Sequence, residues 1–99
     1  MPAAWRLRWS RRTLADLERI ARHIAADKPT AAVEFVADVG QGVGRLSAFP
    51  LLGRTGPLDD TREVAVRRNY LVTYRLHGHE VQVLQVWHVA RNRPRGGAR

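Results

Sequence analysis

Between Trp5 and Trp9 apolar and charged residues alternate strictly: Trp5, Leu7 and Trp9 point one way, Arg6 and Arg8 the other. That period of two marks a half-buried strand. Ser10 follows as an N-cap, a residue whose side chain can take an orphan amide of a first helical turn. From Ser10 to about Ala26 the apolar residues Leu14, Leu17, Ile20, Ala21 and Ile24 form a helical stripe, with Asp16, Glu18, Arg19 and Arg22 mostly outside it. Asp27-Lys28-Pro29 closes this helix and opens another, because a first turn has no use for the N–H that proline lacks. The second helix is expected from Pro29 to Leu46, with Ala32, Val36, Val39, Val43 and Leu46 in its stripe and Phe35 on the flank. Two helices joined so tightly fold back as an antiparallel hairpin. Gly40, Gly42 and Gly44 work against this helix, each at a cost of up to about 1 kcal/mol relative to Ala. Either the helix bends there, or close packing needs the missing side chains.

After Phe49-Pro50 the pattern changes. Gly53 to Asp60 reads as a polar, turn-rich loop. Three strands then follow: Arg62 to Arg67, with Val64 and Val66 on one face; Tyr70 to Leu76; and Glu80 to Ala90. In the last, Val81, Val83, Gln85, Trp87 and Val89 share one face, and Gln82, Leu84, Val86 and His88 share the other. Asn69 suits the first hairpin turn, and His77-Gly78-His79 makes the second. The order predicts an α+β fold: an N-terminal strand, a helix hairpin and a three-stranded antiparallel meander, all in one sheet with the hairpin on one face. Residues 1–91 form one domain, and 92–99 read as a basic, flexible tail.

Charge narrows the list of partners. The 99 residues carry a net +8, and 16 of the 17 basic side chains are arginine. Nine basic and seven acidic residues fall in 1–60, against eight and two in 61–99, so the excess collects toward the C-terminus. GC-rich codon usage accounts for arginine over lysine but not for that concentration. Nucleic acid or an acidic protein would suit it. The absence of cysteine excludes disulfides and thiolate metal sites and fits a reducing cytoplasm. The first residues lack the apolar stretch of a secretory signal, and no apolar run is long enough to span a bilayer. A cytoplasmic chain with no membrane partner is the expectation.

The order of elements, with its landmarks, resembles the ParE/RelE superfamily of bacterial toxins from Trp9 to Pro94. The landmarks are Trp9-Ser10, Ala15-Asp16-Leu17 with Ile20, Ile24-Ala25 and Ala31-Ala32, Phe49-Pro50 and Gly53-Arg54. Thr61-Arg62-Glu63-Val64, Tyr70-Leu71-Val72 with Tyr74-Arg75, and Val86-Trp87-His88-Val89-Ala90-Arg91 complete the set. No one of these is specific; their order and spacing are. The resemblance implies a growth-inhibiting toxin held in a hetero-oligomer by an antitoxin encoded beside it. It also implies one of two targets, DNA gyrase for ParE-type members or mRNA on the ribosome for RelE-type members, with no cofactor. A folded, antitoxin-binding relic with little toxicity is a third reading.

Metal-free RNA cleavage needs a base, an acid and positive groups around the phosphorane. Glu63 could be the base, His88 the acid, and Arg68, Arg75 and Arg91 the positive groups; the resemblance supports Glu63, Arg68 and His88. Against this, Glu63 suits a structural ion pair, and His88 a strand-end histidine fixed by a backbone partner. The chain also has no lysine after Lys28 and no aromatic residue after Trp87, where RelE-type nucleases carry both. Arginine holds phosphate but rarely transfers protons. The gyrase-binding reading is therefore favoured, with Arg67, Arg68, Arg75, Arg91, Arg93 and Arg95 as candidate contacts and an acidic antitoxin segment over the helix hairpin and sheet edge. His77 and His79 read as solvated hairpin histidines, not a metal site. Trp5 and Trp9 read as core, and Gly40-x-Gly42-x-Gly44 lacks the preceding strand of a phosphate loop.

Overall fold

Ser10 ends the first strand and starts the first helix through hydrogen bonds of its own. Its amide donates to the Val83 carbonyl at 3.1 Å, and its Oγ accepts from the Thr13 amide at 3.0 Å. The computed structural model describes residues 4–56 and 58–90. In it β1 (Arg6–Trp9) leads to α1 (Arg11–Asp27) and α2 (Pro29–Gly44), followed by a 3-10 turn at Arg45–Ser47. Then come β2 (Arg54–Thr55), β3 (Arg62–Arg67), β4 (Tyr70–His77) and β5 (Glu80–His88). The five strands form one sheet in the order β1-β5-β4-β3-β2.

The fold is α+β, as the order of elements predicts, and β3-β4-β5 is the antiparallel meander. The sheet as a whole is mixed, because β1 runs parallel to β5. The two-residue β2 lies inside the stretch expected to be loop and pairs antiparallel with β3. Trp5, Leu7 and Trp9 pack against the core, as their alternation requires.

The core lies between the helix hairpin and one face of the sheet. Phe35, Val39, Val43 and Leu46 meet Val72, Tyr74, Val81 and Val83, all fully buried. The α2 stripe stands as expected at Ala32, Val39, Val43 and Leu46, all buried, except that the flanking Phe35 takes the core position and Val36 is 45% exposed. Phe35 sits at this position because its ring meets Tyr70 edge-on at 4.8 Å between centroids and lies under the Arg67 guanidinium. Gly42 is the close-packing glycine of the three; a Cβ there would lie 2.6 Å from Val66 Cγ1.

A bulge in β5 explains two further departures. Thr73 pairs with Gln85 but Tyr74 pairs with Val83, which leaves Leu84 without a partner in β4. The extra residue resets the alternation, so Val86 joins Val81 and Val83 in the core instead of pointing away from them. It also leaves backbone groups near the bulge for α1 to satisfy. Thr13 Oγ1 donates to the Val83 carbonyl at 3.0 Å, and Ser10 Oγ lies 3.2 Å from the Leu84 carbonyl. Asp16 Oδ2 accepts from the Val86 amide at 3.2 Å. Ser10, Thr13 and Asp16, spaced by three, thus form a polar seam at the N-terminal end of α1, beyond which Leu17, Ile20 and Ile24 of the expected stripe pack on the core. Asp16 is 4% exposed and Leu14 is 53% exposed. Buried backbone groups must be paired, and this requirement outranks the apolar pattern of the helix.

Candidate functional site

The sheet separates the residues that a nuclease would need together. Glu63 lies between Arg62 and Val64 on β3, pairs across to Thr73, and through it to Gln85. Val64 and Val72 face the helices, so Glu63 and Thr73 point to the far face, away from them. On that face the Glu63 carboxylate is 6% exposed and Oε1 accepts from Arg54 Nε at 3.3 Å and Nη2 at 3.1 Å. Beside it Thr73 Oγ1 accepts from Trp87 Nε1 at 2.9 Å, and both residues are buried.

His88 is on the other face. Its ring meets Tyr70 edge-on at 4.9 Å, and Tyr70 in turn packs on Phe35 of α2. The Ala90 amide donates to His88 Nδ1 at 3.1 Å. With Nδ1 accepting, the ring proton of the neutral form sits on Nε2. Two strand spacings and three residues along β5 put Glu63 and His88 on the order of 14 Å apart at Cα, with the sheet between their side chains. No single phosphate can touch both.

The candidate arginines are distributed as well. Arg67 is turned onto α2, where Nη1 lies 3.0 Å from Asp38 Oδ2 and the guanidinium stands 5.9 Å over the Phe35 ring. Arg68 is exposed in the Arg68–Asn69 turn, at the His88 end of the sheet. The Val89 amide donates to the Asn69 carbonyl at 2.9 Å and clips the end of β5 onto that turn. Arg75 is at the opposite end of β4, its Nε donating to Gln82 Oε1 at 3.1 Å. Arg91, Arg93 and Arg95 lie outside the described residues.

Tyr74 and Arg54 stand in the sequence only as landmarks of the resemblance, with no role assigned to either. The Tyr74 hydroxyl donates to the Pro50 carbonyl and accepts from the Gly53 amide, both at 2.8 Å. Burial pushes its pKa up from 10.0, with the Gly53 hydrogen bond and the Arg62 charge acting the other way. Gly53 is required at this approach, since a Cβ would lie 2.7 Å from both the Glu63 carbonyl and the Tyr74 hydroxyl. Arg62 Nη1 donates to the Gly53 carbonyl at 2.7 Å and completes the clamp. The signal for Tyr74 was present in the sequence: a tyrosine in an apolar strand needs a partner for its hydroxyl.

His79 stacks on Trp5 at 4.6 Å, and His77 is exposed at the start of the same turn. Among the described residues no three metal-ligating side chains converge, and no helix is long and apolar enough to cross a membrane.

Residues 7–93 match the family model of the ParE toxin of the type II toxin–antitoxin system parDE. A Sinorhizobium fredii protein described as "Putative toxin Y4kP" is 36% identical over 90 residues, covering 90% of this chain and 93% of its own length. Among solved structures, a chain of the chromosomal ParDE toxin–antitoxin system from P. aeruginosa superimposes with a TM-score of 0.77 at 27% identity, over 87% of this chain and 97% of that one. A chain of the toxin–antitoxin complex RelBE2 from Mycobacterium tuberculosis gives a TM-score of 0.56, also at 27% identity, over 86% and 98%. The fold defines a toxin of the ParE/RelE superfamily. The chain belongs to its ParE toxin family, the toxins of type II toxin–antitoxin systems.

Proposed function

We propose that this toxin arrests growth by binding DNA gyrase, without itself carrying out a chemical step, and that a cognate antitoxin neutralises it. The observation that carries the reading is the placement of Glu63 and His88 on opposite faces of the sheet, with Glu63 engaged by Arg54. Membership of the ParE family agrees with it. Arg68 and Arg75, exposed at the two ends of the sheet, are contacts for the target, and Arg91, Arg93 and Arg95, outside the described residues, are further candidate contacts by their charge. Arg67, held by Asp38, contributes less than the notion of one patch would give it.

The antitoxin reading rests on charge and on exposed apolar side chains. A net +8 chain suits an acidic partner segment. Leu14 on α1 and Val33 and Val36 on α2 are 53%, 71% and 45% exposed, a seat for apolar side chains of that segment on the helix hairpin. The solved structures the chain resembles come from a ParDE system and a RelBE2 complex, which agrees with a toxin–antitoxin hetero-oligomer. Gyrase works in the cytoplasm, and the reading locates the toxin there.

Ribosome-dependent mRNA cleavage keeps one observation in its favour, the likeness to the RelBE2 chain. A relic without toxicity would be recognised by normal growth when the chain is expressed without its antitoxin. Purified toxin incubated with gyrase, supercoiled DNA and ATP tests the main reading. Lost supercoiling and accumulated cleaved DNA, both relieved by the antitoxin, are the expected result. No effect at high toxin-to-gyrase ratio, from protein that still arrests growth, would overturn it.

A further inference from the structure

The loop between α2 and β2 carries apolar side chains that the core does not use. Phe49, Leu51 and Leu52 are 63%, 66% and 49% exposed. They are held outward on a rigid turn. The Leu52 amide donates to the Phe49 carbonyl at 3.0 Å, and the turn is fixed from inside by Tyr74 on Pro50 and Gly53. A chain that spends a buried tyrosine hydroxyl on holding three large apolar residues in water is presenting a surface. Leu51 also lines an open cleft of about 770 Å3, whose lining includes Arg62, Arg75, His77 and Gln82, with Asp60 as its one acidic side chain. Arg62 and Arg75 each commit one N–H group to a neighbour, Arg62 through Nη1 and Arg75 through Nε. Both arginines line the cleft, and a guanidinium has five N–H donors in all.

We infer that this loop and cleft are a docking surface for an acidic, leucine- or aromatic-bearing segment of the toxin's protein target, separate from the helix hairpin assigned to the antitoxin. The inference rests on the reading of the chain as a toxin with a protein target. Apolar anchors would seat on Phe49, Leu51 and Leu52, and a carboxylate would enter the cleft between Arg62 and Arg75. Charge chooses the occupant. In a two-fold dimer of this chain the patch would meet itself, bringing arginines toward arginines. The arginine-rich residues 91–99 carry the wrong sign to fill it.

The test is the full chain carrying Leu51→Ser and Leu52→Ser together, produced with its antitoxin. Serine leaves the charge unchanged, so any nucleic acid held by the arginines alone would still bind. The expected result is loss of growth arrest, with gyrase inhibition weakened by about tenfold or more, the scale of two leucines kept from burial. Antitoxin affinity should stay within about threefold of wild type, which also reports that the fold is intact. Arg75→Gln should weaken arrest by a smaller factor. Full arrest by the serine pair would overturn the proposal. So would antitoxin affinity lost in parallel with arrest, which would make the antitoxin the occupant. A wild-type dimer that the serine pair converts to monomer would do the same for a second copy. A wild-type toxin that arrests growth but leaves gyrase untouched would sink the gyrase reading alone, because growth arrest tests the surface whichever protein is the target.

Discussion

The two faces of the sheet are built on different physics. The face toward the helices is apolar and sealed: Val72, Val81 and Val83 are fully buried beneath Phe35, Val39 and Val43. The far face is polar and paired: Arg6 and Arg8 flank Glu80 at 3.6 and 3.7 Å, Arg75 reaches Gln82, and Arg54 reaches Glu63. One face therefore answers to volume and the other to hydrogen bonds. The largest effects should come from the first. Phe35→Ala should cost about 3–5 kcal/mol in urea unfolding, the usual range for an aromatic deleted from a core. Val36→Ala, one residue along the same helix, should cost less than about 0.5 kcal/mol. Equal costs would mean that α2 is turned the other way and the contrast between faces is misassigned.

The polar seam of Ser10, Thr13 and Asp16 crosses that division, since it puts hydrogen bonds on the apolar side. Asp16→Ala would orphan the Val86 amide and should cost about 2–3 kcal/mol. Asp16→Asn keeps an acceptor for that amide and should cost less than half as much. Glu18→Ala, two positions away and exposed, provides the control; a similar loss there would show that Asp16 acts only as a surface charge.

Periods in the sequence were enough for the elements and for most of their facing. The alternation of Trp5 to Trp9, the cap at Ser10, Pro29 at the start of α2 and the three strand runs all stand where the pattern puts them. Periodicity failed where one residue of offset decided the outcome. The Leu84 bulge cannot be seen in a run such as Val-Gln-Val-Leu-Gln-Val, and it moves Val86 to the other face. Asp16 looked solvated because a charge on a helix usually is; the Val86 amide makes it a buried acceptor, with Arg12 and Arg19 paired to it from the exposed side. At the candidate site, sequence could name Glu63 and His88 but not their faces. It weighed an ion pair for Glu63 among nearby arginines, while the partner is Arg54, from a strand too short to read.

Tyr74 gives an intermediate effect with a signature in pH. Tyr74→Phe removes the hydroxyl shared by Pro50 and Gly53 and should cost about 1–2 kcal/mol. The folded-state pKa of Tyr74 is raised above its unfolded value of 10.0, so the neutral phenol is the form that folding favours. The contribution is complete below pH 10, and it is lost as pH rises through the unfolded and then the folded pKa. Wild-type stability should fall more steeply above that pH than the stability of Tyr74→Phe. Parallel curves would mean that the hydroxyl does not clamp the loop.

The smallest expected effect separates binding from chemistry on the far face. Glu63→Gln is nearly isosteric, and its amide oxygen can still accept from Arg54. If the carboxylate is only a strut, unfolding should change by less than about 1 kcal/mol, because the Arg54 side chain is 76% exposed and its attraction is screened by water. Growth arrest should then be unchanged. An amide cannot take a proton from a 2′-hydroxyl, so a base at this position would lose about 10²–10⁴ in rate with the fold intact. His88→Ala provides the same comparison on the helix face, where it removes the edge contact to Tyr70 and the acceptor for Ala90. Arrest retained by both variants is what two separate structural roles require. Arrest lost by both, together with ribosome-dependent RNA cleavage by the wild type, would require the two side chains to reach one substrate, and the sheet between them would have to be abandoned as a rigid divider.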